Sequence, residues 1–141
     1  MSSNDTTSRE AHEQGLARFL RSNRRARFLE MLSHPRTRST LRQELAHFER
    51  RLDPRHARPR TRRTKQERHL DSVYLMLVEA GAPATCFVVS DGRLDGREVS
   101  LREAVEALTP GGAGFISCIP GQLGLYVGED GSSVWVLARD R

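Results

Sequence analysis

The placement of valine and isoleucine is the feature that most limits what this chain can fold into. No valine or isoleucine occurs before Val73, whereas the remainder of the chain contains nine valines and two isoleucines. β-Branched side chains favour strands, and leucine, methionine, arginine and glutamate favour helices. Apolar residues are divided in the same way, with 18 among the first 70 residues and 34 among the last 71. We therefore expect helices and no sheet in the first half.

Apolar residues at helical spacing predict four helices up to residue 81. The last of these helices has the clearest pattern, because its apolar residues recur at i, i+3, i+4, i+7 and i+8. Pro35 breaks the pattern between the second and third helices, and Gly81 ends the fourth. The four apolar sets are Leu16, Phe19 and Leu20; Phe28, Leu29, Met31 and Leu32; Leu41, Leu45, Phe48 and Leu52; and Leu70, Val73, Tyr74, Leu77 and Val78.

The remainder of the second half reads as strands around one further helix. Residues 85–89, 115–119, 123–127 and 134–138 are short apolar runs separated by glycine-containing turns, and Ser100 and Glu103 form a capping box that opens the helix. The short connections among the last three runs favour an antiparallel meander. The predicted fold class is α+β: arginine-rich N-terminal helices, then a small, mostly antiparallel sheet of three to four strands packed with two helices. The predicted organisation is a helical basic region (1–52), a basic linker or loop (53–65) and a compact α+β domain (66–141).

Charge is divided as sharply as apolar content. Residues 1–70 carry 18 basic and 8 acidic side chains, a net charge of +10, and residues 71–141 carry 5 basic and 10 acidic side chains, a net charge of −5. This asymmetry points to a polyanionic partner for the basic half, and an electrostatic contact between the two halves explains it equally well. Lys65 is the only lysine, so a bias towards arginine codons is a third explanation.

Ten basic residues form the predicted polyanion-binding site. Arginine matches phosphate oxygens bidentately, and neutralised phosphates release counterions, so such binding weakens with salt. No aromatic residue lies between Phe48 and Tyr74 to stack on bases, so we expect contact with the nucleic-acid backbone without sequence readout. The predicted residues are Arg55, Arg58, Arg60, Arg62, Arg63, Lys65 and Arg68, together with Arg24, Arg25 and Arg27.

A helix-turn-helix around Pro35 is a weaker interpretation of the same basic half. The third helix places Arg38 and Arg42 on one side, where they would approach DNA. The connection over residues 33–36 lacks the glycine often found in that turn.

Other chemistries have weaker support in the sequence. The five histidines have neither the spacing of a metalloprotease helix nor that of a zinc finger, and no phosphate-binding or nucleophile-elbow motif is present. Cys118 ends a strand and would need a base such as His69 to act as a nucleophile. The acids in the turns could bind a divalent cation, but tight turns use the same residues for their geometry. These acids are Asp91, Asp95, Glu98, Glu129 and Asp130.

The sequence thus predicts a non-enzymatic binding module that contacts a polyanion, above all nucleic acid or a nucleoprotein. The alternative is a protein–protein or dimerisation module, with an acidic partner or a second copy on the stripe containing Leu41, Leu45 and Phe48. A small enzyme using Cys118 is the third interpretation, and no cofactor or metal is expected. Without an 18-residue apolar run or a secretory signal, and with only two cysteines, the chain is expected to be cytoplasmic and without a membrane partner.

Overall fold

The computed structural model describes residues 3–60, 69–108, 112–128 and 133–139, with side chains from Ser8 onward in the first helix and from Ser72 onward in the fourth. Five α-helices, three short 3₁₀ turns and six strands lie in these parts of the chain. The helices are α1 (Ser3–Ala17), α2 (Arg25–Ser33), α3 (Pro35–Glu44), α4 (His69–Glu79) and α5 (Leu101–Leu108). The strands are β1 (Ala57–Pro59), β2 (Thr85–Ser90), β3 (Glu98–Ser100), β4 (Gly114–Ile119), β5 (Leu123–Gly128) and β6 (Ser133–Ala138).

The six strands form one sheet in the order β1-β6-β5-β4-β2-β3, and every neighbouring pair is antiparallel. The predicted α+β class is confirmed, as is the meander of β4, β5 and β6. The hydroxyl of Ser100 accepts a hydrogen bond from the amide of Glu103 at 3.1 Å, so the capping box that was expected to open α5 is present.

The sheet has six strands, more than the three to four that were expected. The strands that were missed are the edge strands β1 and β3, which have only three residues each. β1 lies in the segment expected to be a linker or loop, so the expectation of no sheet in the first half was also wrong. Its sequence is Ala-Arg-Pro, which carries no strand signal. A proline is tolerated there because β1 pairs on one side only, with β6.

Helices cover both faces of the sheet, which makes a three-layer fold. We call the face that packs against α1, α2 and α3 the front face and the face that packs against α4 and α5 the rear face. Successive side chains of a strand point to opposite faces, so Phe87 and Val89 of β2 face the front while Cys86 and Val88 face the rear. Both sets are buried, which explains why the strands read as continuous apolar runs.

The first half of the chain packs directly on the sheet of the second half. The ring of Phe115 on β4 lies between Phe28, Phe48 and Tyr126, with centroid distances of 5.7, 5.7 and 5.1 Å. The Tyr126 hydroxyl accepts a hydrogen bond from the amide of Phe48 at 2.8 Å and donates one to the carbonyl of Leu45 at 2.5 Å. The front helices are therefore fixed to the sheet by both apolar packing and hydrogen bonds.

Candidate functional site

The ten predicted basic residues do not lie on one surface. Arg24, Arg25 and Arg27 lie where a 3₁₀ turn (Ser22–Arg24) leads into α2, in the front helical layer. Arg58 and Arg60 lie in and just after the edge strand β1. Four further members fall outside the described residues: Arg62, Arg63, Lys65 and Arg68.

The register of β1 places Arg58 on the rear face, and Arg60, just after the strand, contacts a rear helix. Ala57 is opposite Leu137, which belongs to the front core, so the next residue, Arg58, points to the other side of the sheet. The guanidinium of Arg60 donates a hydrogen bond to the hydroxyl of Ser72 on α4, which covers the rear face. The sheet therefore separates Arg58 and Arg60 from the arginines at the start of α2.

Arg55 is occupied by a neighbouring carboxylate. Its guanidinium donates to both oxygens of the buried Asp53, with the shortest distance 2.8 Å. These hydrogen bonds hold the pKa of Asp53 well below its usual range, so the carboxylate remains charged. Arg55 is thus less available for a phosphate than the arginines at the start of α2.

Seven arginines of the front layer lie in two chain segments that run side by side, and we call this set the front arginine surface. Residues 14–29 contain five arginines and no acidic residue, and the five arginine side chains are half-buried or exposed. The chain then returns alongside this segment: the amide and the Nε of Arg21 donate to the carbonyls of Arg51 and Arg50 at 2.8 and 2.9 Å. The members are Arg18, Arg21, Arg24, Arg25, Arg27, Arg50 and Arg51.

Four members of this surface were missed from the sequence: Arg18, Arg21, Arg50 and Arg51. Arg18 and Arg21 are separated from the cluster by apolar and polar residues, although their acid-free surroundings were visible in the sequence. Nothing local indicates that Arg50 and Arg51 belong with them, because the contact depends on a bridge between Leu20 and Leu52.

A small notch opens on the front arginine surface. It has a volume of about 90 Å³, and Asn23, Arg24 and Arg27 are among the residues that line it. Arg51 also lines the notch, with its guanidinium carbon 4.5 Å from the centre of the Phe48 ring and its Nη2 3.1 Å from a carboxylate oxygen of Glu44. The almost fully buried side chains of Phe28 and Met31 close the bottom.

Two arginines of α3 contact the acidic turn after β2: Arg38 is largely buried there, and Arg42 remains partly exposed to solvent. Arg38 donates from Nε and Nη2 to the two oxygens of Asp95, both at 2.8 Å, and its Nη1 lies 3.3 Å from a carboxylate oxygen of Glu13. Arg42 donates to the carbonyl of Asp91 at 3.0 Å. The helix-turn-helix interpretation, which placed Arg38 and Arg42 against DNA, is therefore not supported: Arg38 is held in an intramolecular ion pair.

The cysteines have no access to substrate and are poor nucleophiles. Cys86 and Cys118 are both free and almost fully buried in the rear core. Burial raises the pKa of the Cys118 thiol to about 12, and burial with nearby charges also raises the pKa of Cys86. The side chain of His69, the expected base, lies outside the described residues.

The described turn acids are used within the protein. Asp95 binds Arg38, and a carboxylate oxygen of Asp91 accepts a hydrogen bond from the amide of Ala113 at 3.1 Å. Glu129 and Asp130 lie outside the described residues. Within the described parts of the chain, no group of three potential metal ligands lies close enough together to hold an ion.

A serine, a histidine and a glutamate meet where α1 crosses the sheet. Nδ1 of His12 lies 2.7 Å from the hydroxyl of Ser117, its Nε2 lies 3.9 Å from a carboxylate oxygen of Glu98, and its ring stacks on Phe87. The chain of contacts from serine to histidine to glutamate resembles a nucleophilic triad, but Ser117 is fully buried. The arrangement fixes α1 to β4, and a hydroxyl without solvent access cannot reach a substrate.

Burial makes this contact sensitive to acid. Desolvation lowers the pKa of His12, and the charge of Glu98 offsets this only in part. Between the folded pKa and the ordinary value of about 6.5, the unfolded chain therefore binds a proton that the folded chain does not, and stability falls as the pH decreases through this window. We therefore expect the free energy of unfolding in urea to change less between pH 7.5 and pH 5.5 for His12→Gln than for the wild type. The exposed His34, changed to glutamine, is the control; equal pH dependence in all three proteins would contradict the expectation.

No protein-family model, curated protein or solved structure matches this chain. Its function is therefore inferred from the fold and from the geometry of the front layer. No helix in the described parts of the chain is long and apolar enough to cross a membrane.

Proposed function

We propose that the protein is a non-enzymatic module that binds nucleic acid through its backbone phosphates on the front arginine surface. The observation that carries the proposal is the acid-free segment of residues 14–29, whose five arginines are joined by Arg50 and Arg51 through the hydrogen bonds of Arg21. The site therefore differs from the sequence prediction: it retains Arg24, Arg25 and Arg27 and is centred on the front layer instead of residues 55–68.

The lack of internal carboxylate partners supports this assignment. In the described parts of the chain, Arg18, Arg24, Arg27 and Arg50 form no ion pair with a carboxylate. Guanidinium groups gathered without carboxylates repel one another, and a polyanion relieves that repulsion. By contrast, Arg38 and Arg42 of α3 are paired with Asp95, so they explain part of the charge asymmetry without a partner.

The aromatic residues of the front layer favour backbone contact over base stacking. Phe19, Phe28 and Phe48 are at most 2% exposed, so none offers a ring face to an unpaired base. Affinity is therefore proposed to come from phosphate contacts and to be nearly independent of base sequence. Two buried free thiols are compatible with a reducing compartment, which supports the proposed cytoplasmic location.

The test is fluorescence anisotropy with a labelled generic duplex and a generic RNA across a salt series. Each phosphate contact contributes about 0.9 to the slope of log affinity against log salt on duplex DNA. Changing Arg18, Arg24 and Arg50 to glutamine together is expected to reduce the slope by about 2 to 3. A matched variant with Arg93, Arg97 and Arg139 changed to glutamine removes the same charge elsewhere, and its slope is expected to change by less than about 1.

Either of two results would overturn the proposal. No binding of duplex or RNA at low salt would leave the arginine excess as a compositional bias. Equal effects of the two triple variants would mean that net charge, and not the front arginine surface, governs binding.

The alternative of a protein-interaction module now depends on α4. Leu41, Leu45 and Phe48 are buried in the front core, so that stripe is not open to a second copy. Leu75 and Val78 on α4 are 56% and 44% exposed, and they are the exposed large apolar side chains among the described residues. Sedimentation at increasing protein concentration would test this alternative, since a dimer through α4 is expected to dissociate when Leu75 is changed to serine.

A further inference from the structure

The notch on the front arginine surface is suited to a small anion. Its volume of about 90 Å³ holds several water molecules, which is enough for a tetrahedral oxyanion and too little for a stacked base pair. Three guanidinium groups, those of Arg24, Arg27 and Arg51, belong to its lining residues. Guanidinium groups match the oxygen atoms of phosphate bidentately, so the lining suits phosphate better than it suits chloride.

The position of Arg51 is fixed in advance. Its guanidinium lies over the buried ring of Phe48, and it is bonded to the carboxylate of Glu44, which also lines the notch. Stacking on an aromatic face restricts the orientation of the arginine plane, so fewer conformations are lost when a ligand binds. Glu44 is the one acid in the lining, and it occupies donors that a phosphate would use.

The start of α2 is electrostatically unfavourable without an anion. Arg24 precedes the helix, Arg25 and Arg27 lie in its first turn, no side chain caps it, and its first turn has no acidic residue. The N-terminus of a helix carries a partial positive charge, so cations are unfavourable and anions favourable at this end. A local arrangement that opposes stability in this way is typical of a functional site.

We propose that the notch binds one phosphate group, which replaces Glu44 as the partner of Arg51 while Arg24 and Arg27 contact its remaining oxygens. The assignment of this phosphate to a nucleic-acid backbone rests on the proposed function. The notch then fixes the register of one phosphate, and the other arginines of the front arginine surface contact its neighbours. Glu44 is a competitor of the ligand in this arrangement.

If Glu44 competes with the phosphate, two substitutions in the notch should change duplex affinity in opposite directions. Glu44→Gln is expected to bind a short duplex about five-fold more tightly than the wild type, because a carboxylate beside the phosphate is removed. Arg27→Gln is expected to bind about ten-fold more weakly. Glu106→Gln is the matched control for the first variant, since Glu106 pairs with Arg102 at the same distance of 3.1 Å on α5, on the rear face, and its affinity is expected to be unchanged.

A second experiment tests whether the notch binds phosphate independently of whether that phosphate belongs to a nucleic acid. Inorganic phosphate is titrated at constant ionic strength, and the Nε–Hε signals of the arginines are followed by NMR in the wild type and in Glu44→Gln. If duplex binds and the notch variants behave like Glu106→Gln, the notch is wrong and the proposed function stands. If duplex does not bind but phosphate shifts the signals and binds Glu44→Gln more tightly, the notch stands and its nucleic-acid source is overturned. If neither ligand responds to Glu44→Gln or Arg27→Gln, the inference fails in both parts.

Discussion

Arg38→Ala is expected to lower the free energy of unfolding by about 3–5 kcal/mol, the range for removing one partner of a buried ion pair. Arg38, Asp95 and Glu13 have side chains only 13%, 11% and 16% exposed. The substitution therefore leaves two poorly hydrated carboxylates close together without this cation. Urea unfolding at pH 7, followed by circular dichroism, measures the loss.

The geometry explains why the effect is expected to be large. Arg38 binds Asp95 through two parallel hydrogen bonds and also donates to the carbonyl of Leu32 at 3.3 Å, near the end of α2. Asp95 in turn accepts a hydrogen bond from the amide of Ser90 at 3.1 Å. One guanidinium thus links two front helices to the turn after β2, and a connected network of this kind is worth more than its separate bonds.

Arg42→Ala is the matched control on the same helix. Its Nε lies 3.9 Å from Asp95, and its side chain is 42% exposed, so we expect a loss of about 1 kcal/mol or less. Adding Asp95→Asn to Arg38→Ala is expected to recover part of the stability, because it removes one unpaired charge. The expectation is wrong if Arg38→Ala and Arg42→Ala have equal effects, or if Asp95→Asn makes Arg38→Ala less stable.

This ion pair illustrates which features could be read from the sequence. The second, fourth and fifth helices and the longer strands follow from periodicity over neighbouring residues, and the α5 capping box from residues three apart, so these predictions were confirmed. The third helix was predicted too long: α3 ends at Glu44, and two short 3₁₀ turns replace its expected continuation to Leu52. Arg38 and Asp95 are 57 residues apart, and no local pattern joins them. The charge asymmetry was visible, but its division between an internal contact and a free surface depends on tertiary packing.

The site was predictable to the same limited extent. Arg24, Arg25 and Arg27 are close in sequence, and they remain together at the start of α2. Arg58 is also close in sequence to its predicted neighbours, but the register of β1 directs it to the rear face. That register could not be predicted, because a three-residue strand containing a proline has no strand pattern in the sequence. Arg50 and Arg51 join the surface through a bridge between Leu20 and Leu52, residues that are distant in sequence.

Gly15→Ala is expected to lower the free energy of unfolding by about 3 kcal/mol, although alanine is the better helix former by about 1 kcal/mol. Gly15 lies on the buried side of α1, where the helix crosses the turn between β4 and β5. A Cβ at this position would lie 2.3 Å from the amide nitrogen of Gly121 and 2.8 Å from the carbonyl carbon of Pro120. Both contacts are with backbone atoms, so no side chain can rotate to relieve them.

The turn cannot easily yield to the added methyl group. Gly121 has a positive φ of +71°, a conformation that favours glycine, and the turn connects two paired strands of the sheet. The helix must therefore move outward, and with it Arg18, which follows directly after α1 and whose side chain lies 3.4 Å from where a Cβ on Gly121 would be. We accordingly expect Gly15→Ala to weaken duplex binding as well as folding, because the front arginine surface is displaced.

The control is Gln14→Ala, one residue earlier on the exposed side of the same helix. Its free energy of unfolding in urea is expected to stay within about 0.5 kcal/mol of the wild type, and its duplex affinity measured by anisotropy is expected to be unchanged. If Gly15→Ala is as stable as Gln14→Ala, α1 does not approach the turn closely. If Gly15→Ala is destabilised but binds duplex with unchanged affinity at a temperature where it remains folded, the position of α1 does not govern the surface. If Gly15→Ala loses both stability and duplex affinity while Gln14→Ala is unaffected, the packing of α1 on the sheet determines the position of the front arginine surface.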